Sequence, residues 1–140
     1  MTVSWSKFNS FSEALAEKVH NLGSDTLTIA LCNAAHAPVA TNTVLANLTQ
    51  ISYTNLSSRA ITITSSAQTS GTYKLVLTDL VLTASGDVAA FQYAVIYNDT
   101  ATNKELIGFY DYGAEVTLHN GDTFTIDFDA SAGVLTLTPG

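Results

Sequence analysis

Phe91-Gln-Tyr-Ala-Val-Ile-Tyr-Asn-Asp-Thr-Ala-Thr-Asn-Lys-Glu-Leu-Ile-Gly-Phe-Tyr-Asp-Tyr-Gly113 reads as two strands and the turn between them. Phe91, Tyr93, Val95 and Tyr97 recur every second residue, as do Leu106, Gly108, Tyr110 and Tyr112 after a polar break. A period of two places each set on one face of a pleated strand. The break at 98–103 is rich in Asn, Asp and Thr, residues that close antiparallel hairpins. Ala94, Ile96, Ile107 and Phe109 fill the alternate positions, so both faces are largely apolar. Strands of this kind need cover on both sides: a second sheet on one, and a helix or another subunit on the other. Six of the twelve Phe and Tyr residues fall here, and aromatics contribute the largest area per residue to a core or interface. The hairpin is the expected centre of the fold, and it carries no evident chemistry.

N-terminal to it, residues 1–7 form a short arm with Val3 and Trp5 as its apolar members. From Phe8 the period becomes helical. Phe8, Phe11, Leu15, Val19 and Leu22 make one stripe, which predicts an amphipathic helix over 8–22. Ser10 with Glu13 has capping-box spacing, and Gly23 is placed for a left-handed C-cap. Residues 26–33 alternate as a strand, 34–47 form a long connection with a helical turn near 44–48, and 50–54 and 59–65 read as short strands. After a Ser/Thr/Gly turn at 65–71 comes a long strand over 73–83. Its apolar phase slips from Leu75 and Leu77 to Leu80 and Leu82, the signature of a bulge or bend near Thr78 and Asp79.

C-terminal to the hairpin, 115–119 is a short strand, and Asn120-Gly121 predicts a primed two-residue turn. Residues 123–129 carry Phe124, Ile126 and Phe128 in alternation, and 134–138 is a last strand. The chain is expected to be mainly β: one domain over 1–140, an antiparallel two-sheet sandwich of jelly-roll or Greek-key type with one N-terminal helix.

Composition narrows the function classes. Charged residues make up 12% of the chain, against roughly 25% in an average soluble domain. Twenty Thr and thirteen Ser take their place, and uncharged Thr-rich faces desolvate more cheaply than Lys and Glu. The net charge of −7, with Lys7, Lys18, Arg59, Lys74 and Lys104 as the only cations, leaves no basic stripe for phosphates or anionic lipid. Nucleic acid and membrane are therefore not expected partners. Neither a secretion signal nor a membrane-length apolar run is visible. The single cysteine, Cys32, falls in a strand pattern, which favours a buried, inert thiol.

No catalytic set, cofactor motif or metal site is expected. His20, His36 and His119 have no second His or Cys at ligand spacing. No G-x-S-x-G or Gly-rich phosphate loop occurs. Asp127 and Asp129 share one strand face and fit either a cation or acid–base role, although the solvent side of an amphipathic strand has the same pattern. Asp79 and Asp111 are the acids placed to satisfy backbone groups at a bulge or edge.

The runs 73–86, 93–99, 106–113 and 121–129, with Lys7-Phe-Asn-Ser-Phe11 and the helix after it, resemble small structural proteins of tailed bacteriophage particles. The resemblance implies a non-enzymatic capsid decoration or cement subunit on the virion surface. It further implies self-association, as a homotrimer, and contact with the major capsid protein. Trp5, Phe91, Tyr93, Tyr97, Tyr110 and Tyr112 are then the candidate interface residues. The alternative is a tail or fibre module binding host carbohydrate, with Tyr97, Asn98, Asp99 and 110–112 as its aromatic and polar contacts.

Overall fold

The hairpin forms at the centre of the largest sheet. In the computed structural model, which describes residues 3–139, β6 (Phe91–Asn98) pairs antiparallel with β7 (Leu106–Val116). β1 (Ser4–Lys7) pairs with β7 and β2 (Leu27–Cys32) with β6, so the order is β1-β7-β6-β2. A second sheet joins β3 (Ile63–Thr69), β4 (Thr72–Leu77) and β9 (Leu135–Leu137), in that order. A third pairs β5 (Leu80–Thr83) with β8 (Thr123–Ile126). The protein is mainly β with several antiparallel sheets, and its helical content is small.

Both faces of the central sheet are covered, as its two-sided apolarity predicts, but the second cover is the long connection in place of the expected helix or other subunit. Ile29, Leu31, Ala94, Ile96 and Ile107 pack in one cluster with Leu75 and Leu77 of β4, Leu82 of β5, Ile126 of β8 and Leu135 of β9. All three sheets thus share one core, in which each fully buried Leu or Ile contributes about 1.5–3 kcal/mol. The opposite face holds a smaller cluster of Phe8, Ala30, Val95, Tyr97 and Leu106, covered by Leu45 and Leu48 of the long connection.

The strict alternation expected of the hairpin breaks twice. Ile96 pairs with Gly108 and Tyr97 with Leu106, so Ile107 is an extra residue and Leu106 lies on the face opposite Tyr110 and Tyr112. Phe91 pairs with Val116 but Tyr93 with Asp111, and Phe91 therefore joins the main core while Val95 and Tyr97 join the smaller one. A bulge reverses side-chain phase without changing the residue pattern.

The predicted 8–22 helix is replaced by α1 (Phe11–Ala16), six residues long. Lys18 adopts φ 68°, its N–H donates to the Leu15 carbonyl, and that of Val19 donates to the Ala14 carbonyl. This is a Schellman ending one turn earlier than Gly23 would place it. Ser10 occupies the N-cap position but makes no side-chain cap bond. The stripe residues Phe8, Phe11 and Leu22 are buried nevertheless, Phe8 in the smaller cluster and the others in the main one.

Three further expectations change. The phase slip at Thr78 and Asp79 is a change of sheet: β4 ends, and β5 continues with a different partner. The 65–71 turn is a strand as far as Thr69, with only Ser70 and Gly71 turning. At Asn120-Gly121 only Gly121 has positive φ, so the turn is type II, and β8 pairs with β5 instead of closing a hairpin.

Segments 50–54 and 59–62 are not strands; they lie irregularly along the free edge of β2. The N–H groups of Ile29, Ile51 and Ile61 bond the carbonyls of Arg59, Leu31 and Leu27 there. The edge is satisfied without a regular ladder.

Candidate functional site

Where the hairpin loop meets the chain after α1, four polar side chains converge. Asn98 closes β6 and is fully buried. Its Oδ1 accepts the N–H groups of Thr100 (3.0 Å) and Ala101 (3.1 Å), holding the first turn of the loop. Its Nδ2 donates to Asp25 Oδ2 (2.7 Å) and to His20 Nδ1 (3.0 Å). All four hydrogen-bonding positions of this amide are used, as burial requires.

His20 is only 5% exposed and stacks on Phe11 at 5.6 Å between ring centres. Because Nδ1 accepts from Asn98, the geometry assigns the proton of the neutral ring to Nε2. Among the described residues that Nε2 is buried without a hydrogen-bond partner, as is Glu105 Oε2. Burial lowers the His20 pKa below 6.5, against the opposing pull of the Glu105 and Asp25 carboxylates. Asp25 also accepts the Asn21 N–H at 2.8 Å. The cluster ties the segment after α1 to the hairpin, and among the described residues no nucleophile stands in hydrogen-bond contact with the ring. His20 is held in place by this side-chain network and by its stacking on Phe11. From the sequence, the apolar flanks Val19 and Leu22 were the one sign that His20 turns inward.

The remaining chemical candidates are placed separately. His36 Nδ1 contacts Asn33 Oδ1 at 3.0 Å, and exposed His119 Nδ1 meets Asp87 Oδ1 at 2.9 Å, which raises the His119 pKa. Cys32 is fully buried, and burial pushes its thiol up to about 11. Asp127 and Asp129 are exposed, and Asp129 Oδ1 accepts the N–H groups of Ser131 and Ala132. Asp79 accepts the Phe128 N–H (2.9 Å) and Asp111 the Gly113 N–H (2.8 Å), the backbone roles expected at an irregular strand. Among the described residues no three His, Cys, Asp or Glu side chains converge as a metal centre, and no helix is long and apolar enough to cross a membrane.

The six aromatic candidates divide by exposure. Phe91, Tyr97 and Tyr112 are buried inside the chain itself and expose little or no area. Trp5, Tyr93 and Tyr110 are half-buried and keep outward area. Trp5 lies 4.6 Å from Tyr110, which stacks on Tyr112 at 6.2 Å, and Tyr112 meets Phe124 edge-on at 5.0 Å. Burial raises the Tyr110 pKa to about 12, helped by Asp127, Asp129 and Asp79. One aromatic contact lay outside the sequence reading: the Arg59 guanidinium sits 3.5 Å over the Tyr53 ring, and it donates to the Ile29 carbonyl.

No family model matches this sequence, and no curated protein or solved structure is significantly similar to it.

Proposed function

We propose that the chain is a non-enzymatic structural subunit of a phage virion, a decoration or cement protein that binds copies of itself, as a trimer, and the capsid shell. In this reading the three sheets make the two layers of a jelly-roll or Greek-key sandwich, since all three contribute to one core. The observation that carries the proposal is the half-buried aromatic pair Trp5 and Tyr110, with Tyr93 half-buried on the opposite face of the sheet, on a chain only 12% charged. Such side chains serve as anchors where two surfaces exclude water. The test is to incubate the protein with expanded heads of the virus that encodes it and to locate it by electron microscopy. Ordered density on the shell is expected; its absence from heads and from purified virions overturns the proposal.

A second reading, a tail or fibre module for host carbohydrate, draws on Trp5 and Tyr110, whose neighbours include Asp127 and Asp129. Tyr97 and Asn98 are buried and leave that role. Glycan-array binding abolished by Trp5→Ala would favour this reading.

A further inference from the structure

An open apolar groove of about 480 Å³ runs between α1 and β9, with Phe11, Leu15, Leu22, Tyr73 and Leu137 in its walls. It shares Leu15, Leu22, Tyr73 and Leu137 with an adjoining concavity of about 650 Å³. Among the described residues β9 pairs only with β4, so its outer edge offers backbone groups outside any ladder, the setting for strand addition. Leu137 is 54% exposed there, whereas Leu135 two residues earlier is 5% exposed.

Charge singles out the occupant. Of the five cations, Lys104 pairs with Asp99, Arg59 covers Tyr53, and Lys74 Nζ donates to the Ser131 carbonyl. Lys7 and Lys18 line the two concavities, and no hydrogen bond or salt bridge of their side chains occurs among the described residues. A second copy carries net charge −7; here it meets two ammonium groups beside apolar walls, with Asp25 the one carboxylate in the two linings.

We infer that this groove docks a second copy of the chain, which lays an extended, carboxylate-bearing segment along β9 between Lys7 and Lys18. The inference rests on the self-associating reading above and locates its contact. A groove filled by a different surface of the next copy is a heterologous contact, which closes into a ring where the rotation allows.

Sedimentation of the full chain up to about 200 µM, at low and high salt, tests this, alongside Leu137→Asp and the double variant Lys7→Glu/Lys18→Glu. Expected are an oligomer weakened by salt and dissociation constants at least about tenfold higher in both variants. Far-UV circular dichroism should be unchanged, because all three positions are exposed. A wild type monomeric throughout, or variants that associate as tightly as wild type, overturns the inference. So does a monomer whose β9 amides shift on adding laurate, which assigns the groove to an acyl chain. A monomer that still decorates heads sinks this contact and the trimer but spares the capsid-binding role; a groove-dependent oligomer that binds no heads spares the contact and sinks that role.

Discussion

Gly108 stands where a Cβ would lie 2.6 Å from Trp5 Cη2 and 2.8 Å from the Ser6 carbonyl oxygen. The Trp5 ring lies across the bare backbone, and that contact seats β1 against β7. Gly108→Ala should displace the ring and cost about 1–3 kcal/mol in urea unfolding, the range for overpacking. A loss below experimental error would show that β1 is not held through Trp5. At Asn98 the physics is electrostatic. Removing the amide with Asn98→Ala leaves Asp25, His20 and two loop N–H groups without their partner. Each buried group so stranded costs about 1–3 kcal/mol.

His20 adds a pH dependence whose sign is set by its burial. Its folded-state pKa lies below 6.5, so on acidification the unfolded chain takes the proton first and the stability due to the neutral ring is lost as pH falls below 6.5. His119 has the opposite sign: its pKa is raised by Asp87, so its contribution is present below 6.5 and is lost as pH rises through the folded value. Unfolding free energies measured from pH 7 to pH 5 should fall less steeply in His20→Gln than in wild type. Parallel profiles would place His20 outside this coupling.

At the scale of elements, Ser70 and Gly71 join β3 to β4 with φ 51° and 86°, the backbone of a type I′ turn. Asn tolerates the first of these conformations better than Ser, so Ser70→Asn should raise the unfolding free energy by about 0.5–1 kcal/mol. A destabilised variant would mean that the Ser70 side chain has a contact of its own. This turn also shows what the sequence hid. Residues 65–69 are Ser-Ser-Ala-Gln-Thr, which read as loop by composition, yet they form the outer strand of a sheet whose apolar side is supplied by β4. Tertiary pairing overrode local preference. The helix was over-read for the converse reason: Phe8, Phe11 and Leu22 are apolar at helical spacing because each is buried, but in two different clusters. The hairpin itself was legible because its periodicity is long and its loop strongly polar. Its bulges were not, since Ile107 as an extra residue changes pairing without altering composition. The Asn98 network was invisible because its members are up to 78 positions apart.

On the scale of the whole molecule, the shared core makes a claim about cooperativity. Leu82 lies in the two-stranded sheet and Cys32 in the four-stranded one, and both are fully buried. Cys32 is shielded, and its thiol titrates near 11, so a thiol reagent at neutral pH reaches it only through an opening of the structure. If the three sheets unfold as one unit, that opening is global, and its frequency follows the stability of any part of the core. Leu82→Ala, at a cost of about 2–5 kcal/mol for a buried Leu truncation, should then speed Cys32 labelling in proportion to the measured loss of stability. Labelling unchanged in Leu82→Ala, with stability reduced, would mean that β5 and β8 open apart from the central sheet. The proposed role of holding other subunits together requires the first behaviour, because a load applied at one surface is resisted only as far as the core transmits it.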